Sequence, residues 1–304
     1  MSYSPPVISI DVEDWPQSTW DRNLLITDRA VENTRRVLRL LREAEVRATM
    51  FVLGKLAERF PHVVKEIQTD GHEVACHGYG HLSIAQQSPD EFLADIRRAK
   101  DLLEQITGEK VTGYRAPDFS IVRNTLWAFD ALVEAGFEYD SSVVPGRLPR
   151  YGIPDWPVLP VRVHLSRGKS ILEAPLPTFR ALGRNWPVGG GGYHRLLPGF
   201  ASRYFARHVM TAAPFVFYCH PYEFDVQELE EIPLRVPFTV RLHQGAGRRW
   251  FEQRFRSFVK CFGGQPMHDM LSSQPWSEFH LRSLNSDSSS KPGPHSKVPC
   301  KQRH

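Results

Sequence analysis

Apolar and polar positions in the first 140 residues change period repeatedly. Val7–Ile10 is a short apolar run that ends in acids, the pattern of a buried strand. From about Asp28 to Glu45, Val31, Val37, Leu38, Leu41 and Ala44 recur at helical spacing among Arg and Glu, which predicts an amphipathic helix. Ala48–Gly54 returns to a strand closed by glycine. A helix with Pro61 near its start and Gly71 past its end follows. "HEVACHG" (72–78) is the next strand. The clearest helix runs from Ser88 to Gly108: Ser88 is a natural N-cap, Pro89 sits at the first helical position, Glu91 completes a capping box, and Gly108 stops it. Val111–Tyr114 is a strand, Asn124–Ala135 a helix ended by Gly136, and Phe137–Tyr139 a strand. Strand and helix alternate at least four times, which implies parallel strands with helical crossovers, in a barrel or an open doubly wound sheet.

The pattern loosens after about residue 145. The proline-rich stretch "VVPGRLPRYGIPDWPVLPVRV" carries aromatics and reads as an ordered excursion, and four glycines (Gly189–Gly192) follow. They form a close-approach loop over a bound ligand or a flexible loop, and without a following Lys-Ser/Thr they are not a phosphate-binding loop. "PFVFYCHP" (Pro214–Pro221) restores a strand. Between Gly247 and Gly263, Trp250, Phe251, Phe255, Phe258 and Val259 stand at helical spacing, a face better suited to core packing than to a membrane or polymer. From Ser283 on, Ser, Pro, Lys and Gly predict a disordered tail. No repeat of fixed period is present.

Composition narrows the class. The 304 residues are 41% hydrophobic and 24% charged, which is globular. Net charge is +4, but the tail alone holds Lys291, Lys297, Lys301 and Arg303 against Asp287, so the body is nearly neutral and nucleic acid is not expected as a partner. Four cysteines without a C-x-x-C pair predict no disulfide framework. The N-terminal stretch lacks a basic region before its short apolar run, and no window approaches the ~20 apolar residues of a membrane span. The expectation is a soluble, cytoplasmic protein. Oligomeric state is silent.

Four short stretches carry candidate chemistry. In "VACHGYGHLS", His77 and His81 stand four apart; on a helical turn that spacing would put both imidazoles on one face. "SIDVEDW" ends a strand with Asp11, Glu13 and Asp14 clustered, where repulsion favours a bound cation. One carboxylate with two histidines is a three-ligand set with open positions, suited to a catalytic divalent metal. "YRAPDFS" ends a strand on Arg115, whose guanidinium can orient a carboxylate. "FVFYCHPYEFD" ends a strand on His220, poised for proton transfer. Cys76 and Cys219, each next to a key histidine, point to the opposite strand face and read as core.

D-x-x-D, H-x-x-x-H, R-x-P-x-F and a terminal strand histidine, in that order, resemble the polysaccharide deacetylase family (NodB-homology domain) over roughly residues 5–225. "CHGYGH", "YRAPDFSI", "YDSS" and "PVGGGGYHRLLP" resemble more narrowly the subgroup associated with exosortase and exopolysaccharide loci. The resemblance implies an irregular (β/α) barrel, often seven-stranded, with an insertion at about 145–213 and a family-specific C-terminal extension at 226–282. It implies that Asp11 is the catalytic base, Arg115 its orienting partner, His220 the general acid, and Asp140 of "YDSS" the carboxylate tuning that histidine. Asp14, His77 and His81 would hold a divalent metal, Zn2+ foremost, with Co2+ or Mn2+ able to serve. The family motif has adjacent aspartates, whereas Val12 and Glu13 intervene here. Glu13 is therefore the alternative ligand, because residues two apart share a strand face. The partner is an N-acetylated oligo- or polysaccharide. Expected contacts are Tyr79 and Pro117 near the reacting carbonyl and Trp15 or Tyr193 on sugar rings, with Trp156 and Trp186 as further stacking candidates. The rivals are an amidohydrolase for a small non-sugar amide, possible without metal, and a catalytically inactive carbohydrate binder.

Overall fold

The computed structural model describes residues 4–281, so the tail predicted after Ser283 lies outside the described residues. The first half alternates as the periodicity predicts. The order is β1 (Val7–Val12), α1 (Asp28–Glu43), β2 (Thr49–Val52), α2 (Gly54–Arg59), α3 (Pro61–Thr69), β3 (Glu73–Cys76), α4 (Pro89–Thr107), β4 (Gly113–Tyr114), α5 (Ala128–Glu134) and β5 (Tyr139–Asp140). The capping box of α4 is present, with the Glu91 amide on Ser88 Oγ at 3.3 Å and the Ser88 amide on Glu91 Oε2 at 2.8 Å. Gly108 takes the left-handed conformation that ends the helix, at φ +74°.

The segment after residue 145 is richer in strand than its prolines suggest. It contains β6 (Val161–His164), β7 (Ser170–Glu173), the β8 (Thr178–Ala181) and β9 (Arg184–Pro187) hairpin, α6 (Gly191–Leu196) and α7 (Gly199–Met210). β10 (Val216–Cys219) returns to the main sheet. Then come α8 (Glu228–Glu231), α9 (Phe238–Gly245), α10 (Arg248–Phe262), α11 (Met267–Ser272) and β11 (Ser277–His280).

The main sheet runs β10-β1-β2-β3-β4-β5-β7-β6-β11. The seven strands from β10 to β7 pair parallel, β6 is antiparallel to β7, and β11 is parallel to β6. This is an α/β fold with a mostly parallel sheet. Among the described residues no strand pairing joins its outer edges.

Strand parity divides the interior. Ile8, Ile10 and Val12 belong to a large core shared with Val37, Leu41, Leu56, Ile67 and Phe217. The other face of the sheet carries Val7, Phe51, Ala75, Tyr139 and Val216, packed with Met267, Met270 and Leu271 of α11. Asp11 pairs in register with Phe51, and Ser9 with Tyr218, so both acids and aromatics share this second face. α10 buries Phe251, Phe255, Phe258 and Val259 and leaves Trp250 half exposed beside Arg249, which supports the core-packing reading of that helix.

Candidate active site

The carboxyl ends of β1, β3, β4 and β10 deliver their side chains into one cavity of about 260 Å³, which Asp11, Glu13, His77, His81 and His220 line together. Parity explains the selection: Glu13 continues the face of Ser9 and Asp11, His77 that of Ala75, Arg115 that of Gly113, and His220 that of Tyr218.

Arg115 is fully buried and spends its donors on this face. Its NH1 group donates to Asp11 Oδ1 at 2.8 Å and Ser9 Oγ at 2.9 Å, Nε to the Ser141 carbonyl at 2.9 Å, and NH2 to Ser141 Oγ at 3.1 Å. The guanidinium also lies over the Phe51 ring, 4.2 Å from its centroid. Asp11 is thus held through one oxygen, while Oδ2 faces His220 Nε2 at 3.9 Å.

His77 and His81 do converge, but not on a helix. His77 leaves the end of β3, and His81 sits in a loop with φ +59°, an unusual conformation for a non-glycine residue. His77 Nδ1–H donates to the Arg115 carbonyl at 2.9 Å, which leaves Nε2 aimed at Glu13 Oε2 at 3.4 Å. His81 Nε2 lies 2.8 Å from the same oxygen. The three ligand atoms fall within 4.8 Å of one another.

The ligand expectation of Asp14 is corrected here: Glu13 joins the imidazoles. Asp14 lies on the opposite face of the chain and accepts from the Thr27 amide at 2.6 Å and Thr27 Oγ1 at 3.1 Å, at the entry to α1. Burial raises its pKa to about 6 despite those bonds.

The residues fit a divalent ion. Glu13 Oε2 is buried and lacks an aligned hydrogen bond although two imidazole nitrogens face it. His77, its other nitrogen committed to a carbonyl, presents a lone pair when neutral. One carboxylate and two imidazoles are an N/O donor set for a first-row divalent metal. Burial alone would raise the pKa of Glu13, but the charge on His81 and polar contacts with both imidazoles outweigh it and hold it well below the usual range.

His220 lines the same cavity as Asp11 and Glu13. Its Nδ1 meets Glu223 Oε1 at 2.9 Å, and its Nε2 is 3.6 Å from Glu13 Oε1. Burial disfavours its charge, but the Glu223 hydrogen bond and the Glu13 and Asp11 carboxylates prevail and raise its pKa to about 9. The expected tuning residue, Asp140, is elsewhere: its carboxylate accepts from Ser142 Oγ at 2.6 Å and the Ser142 amide at 3.1 Å. Glu223 takes that part, and its other oxygen meets Arg195 Nε of α6 at 2.7 Å. The signal was available, since "HPYE" places a carboxylate three residues beyond the histidine.

The four glycines make their close approach to protein, at β10 and the turn after it. A Cβ at Gly191 would lie 2.5 Å from Glu223 Oε1, and one at Gly189 would lie 2.2 Å from the Val216 carbonyl, so the stretch packs directly against β10.

Most expected sugar contacts are absent from the cavity wall. Trp15 is buried against Trp20 and Tyr222, and Trp156 against Phe129 and Phe279. Tyr79 turns outward, its hydroxyl on Glu58 at 2.6 Å and its ring under Arg98 at 3.7 Å. Pro117 is buried beside Gly78, while its neighbours Ala116, Asp118 and Phe119 line the cavity. Tyr193 is half buried on α6 and does not line it, and Trp186 is half exposed on β9. The aromatic wall is instead Tyr151, Phe119, Tyr218 and Tyr222; Tyr222 stacks on His220 with centroids 4.8 Å apart. Tyr151 is hidden in the irregular 145–160 stretch, whereas Phe119, Tyr218 and Tyr222 stand inside the quoted motifs and strand parity could have placed Tyr218 beside His220.

The site lies at the strand ends of a mostly parallel α/β sheet, where folds of this class gather their reactive groups. Residues 6–139 match the family described as Polysaccharide deacetylase, and residues 141–272 match a Domain of unknown function (DUF3473). The first match assigns residues 6–139 to a polysaccharide deacetylase domain, and the second domain follows it directly. The second match begins inside the sheet, so β10 and its histidine lie within it. A peptidoglycan-N-acetylglucosamine deacetylase of Bacillus cereus is 35% identical over 99 residues, 32% of this chain and 36% of that protein. A Helicobacter pylori peptidoglycan deacetylase is 37% identical over 115 residues, 36% of each. A chitooligosaccharide deacetylase of Azorhizobium caulinodans is 33% identical over 27% of this chain and 39% of that one. The chain thus spans well under half the length of these relatives. A Mycobacterium smegmatis structure assigned to the polysaccharide deacetylases covers 99% of this chain and 100% of its own at TM-score 0.56 and 18% identity. A Thermococcus litoralis 4-alpha-glucanotransferase covers 91% of this chain and 42% of its own at TM-score 0.55 and 16% identity. Both show the fold alone.

Proposed function

We propose that this protein is a metal-dependent hydrolase that removes N-acetyl groups from an oligo- or polysaccharide, acting in exopolysaccharide assembly. The observation that carries the reading is the meeting of Glu13, His77 and His81 with an Arg115-held Asp11 on one side and a Glu223-held His220 on the other. The names of the relatives, which are deacetylases of N-acetylated saccharides, support it.

Glu13, His77 and His81 would hold the ion, Zn2+ foremost, with Co2+ or Mn2+ able to serve. When bound, it supplies Lewis-acid polarisation of the acetyl carbonyl and of water. Asp11, with Oδ1 committed to Arg115, has Oδ2 free to take a proton from the attacking water. The Glu223 hydrogen bond and the nearby carboxylates favour the protonated form of His220, which faces the same space, so its Nε2–H serves the departing nitrogen. A C–O bond forms and the C–N bond breaks; the water proton goes to Asp11 and the His220 proton to the amine. Acetate and a free amino sugar result. The buried wall of Tyr218, Phe119 and Tyr222 narrows the space around the reacting group.

The test is acetate release from N-acetylglucosamine oligomers, measured beside the metal content of the purified protein. Release that chelation abolishes and Zn2+ restores supports the reading. No release on any N-acetylated saccharide by metal-loaded protein refutes it. Among the described residues no helix is long and apolar enough to cross a membrane. Free thiols at Cys76, Cys219 and Cys261 suit the cytoplasmic, reducing setting we infer, and fractionation of cells producing the protein checks it.

A further inference from the structure

The active-site cavity has a cationic neighbour. The loop from Val144 to Ile153 closes on itself, with the Gly146 and Ile153 amides both on the Val144 carbonyl at 2.8 and 2.9 Å. Gly152, at φ +107°, makes this pinch possible: a Cβ there would lie 2.2 Å from the Gly146 carbonyl oxygen. One side of the loop presents Arg150 and Tyr151 to the active-site cavity. The other side meets the β8–β9 hairpin, where a Cβ on Gly146 would stand 3.1 Å from the Asn185 carbonyl oxygen. Between loop and hairpin lies a second cleft of about 280 Å³, lined by Arg147, Arg180, Arg184 and Asn185.

No carboxylate lines this cleft. Its three arginines are exposed and make no side-chain hydrogen bond or ion pair among the described residues. Several other exposed arginines of this protein are paired, Arg35 with Glu66, Arg42 with Asp70, Arg97 with Glu134 and Arg98 with Glu58, whereas here three unpaired ones share one cleft. The acid nearest the cleft in sequence, Asp155, is taken by Arg123. The excess continues toward the catalytic groups. Arg150 and Arg22 at the active-site cavity share one carboxylate, Asp118, each at 3.3 Å. Arg147 and Arg150 are three residues apart, at most about 11 Å of chain.

Like charges gathered in one cleft repel, and a planar guanidinium matches a carboxylate in two-point geometry. We propose that the Arg147–Arg180–Arg184 cleft is a subsite for the carboxylates of an acidic saccharide chain whose N-acetyl sugar occupies the active-site cavity. The inference rests on the deacetylase reading for its saccharide and adds the charge of the substrate. No aromatic side chain lines the cleft to stack a base, which sets it apart from a single-stranded nucleic-acid groove.

The experiment compares binding, by calorimetry on the full chain, of two defined probes of equal length. One alternates glucuronate with N-acetylglucosamine; the other is N-acetylglucosamine alone. The acidic probe should bind at least about tenfold more tightly at low salt, since each exposed guanidinium–carboxylate contact adds a factor of about two to five, and lose that margin at high salt. The Arg147→Gln/Arg180→Gln/Arg184→Gln protein should lose the margin and keep its affinity for the neutral probe and its thermal transition. Arg180→Gln alone should lose part of it. Equal affinity for both probes, or a margin that survives the triple substitution, overturns the inference. So does oligothymidylate binding as tightly as the acidic probe and competing with it, which would mark a general polyanion surface. Acetate release separates the two readings. Release without charge preference sinks this inference and leaves the deacetylase intact; charge preference without release does the reverse.

Discussion

On a strand, side chains two apart share a face, so Glu13 follows Ser9 and Asp11 into the cavity while Asp14 turns to Thr27. The difference is measurable. Glu13→Gln should reduce metal retained after dialysis at least about tenfold, with little change in the folded structure. Asp14→Asn should keep the metal and lower stability by about 1–2 kcal/mol, through weaker acceptance from Thr27. Metal analysis and thermal unfolding of both variants check it; metal loss in Asp14→Asn with retention in Glu13→Gln would reverse the assignment. The residue types of the site were legible, because each stood at the end of an apolar run. Which acid binds was not settled by the motif, whose spacing departs from the family's, although parity pointed to Glu13. The acid beside His220 was misread for another reason: Asp140 lies in a recognisable motif, but its carboxylate is satisfied locally by Ser142. Glu223→Gln should therefore lower kcat about ten- to a hundredfold with KM nearly unchanged, and Glu223→Asp should recover part of the loss. Wild-type kcat in Glu223→Gln would remove that residue from the machinery.

Elements with strong end signals were read well, and those held only by tertiary contacts were not. α4 has proline, capping box and terminal glycine in the sequence, and all three are used. β4 and β5 are two residues each, and β6 to β9 lie among prolines with half-buried alternation, so local pattern carries little information about them. α2 was missed because Gly54 read as a strand terminator. It opens a helix instead, at a spot where a Cβ would lie 2.7 Å from the Tyr79 ring. The cap of α4 offers a control that separates element stability from chemistry. Ser88 is exposed and does not line the cavity. Ser88→Ala should cost about 1 kcal/mol, seen as a lower thermal midpoint, with acetate release per metal ion unchanged. A fall in kcat at full metal loading would mean that α4 is coupled to the site.

Two buried histidines outside the site link the whole molecule to pH. His72 lies at the amino-terminal side of β3, its Nδ1 accepting from the Ala48 amide at 3.2 Å and its Nε2 without a partner. His194 on α6 packs between Phe217 and Phe258, at 4.7 and 5.2 Å, with its Nε2 also unpartnered. Burial pushes each pKa down to about 4. The unfolded chain binds these protons near pH 6.5. Above that value both residues are neutral in both states and their contribution is complete. As pH falls from 6.5 toward 4, the unfolded chain takes up protons that the native state refuses, so stability is lost, by up to about 3 kcal/mol per histidine. Asp14 and Glu228, whose burial raises them to about 6 and 7, titrate with the opposite sign in this window, because the native state then holds the proton more tightly. The net slope therefore mixes both kinds of group, and the comparison of variants isolates the histidines. His72→Asn keeps an acceptor for the Ala48 amide and removes the titration. Its urea-unfolding free energy should fall less steeply between pH 6.5 and 4.5 than that of the wild type, with the curves closest in slope above pH 7. Parallel curves across the window would mean that His72 takes up its proton as readily in the native state as in the unfolded chain.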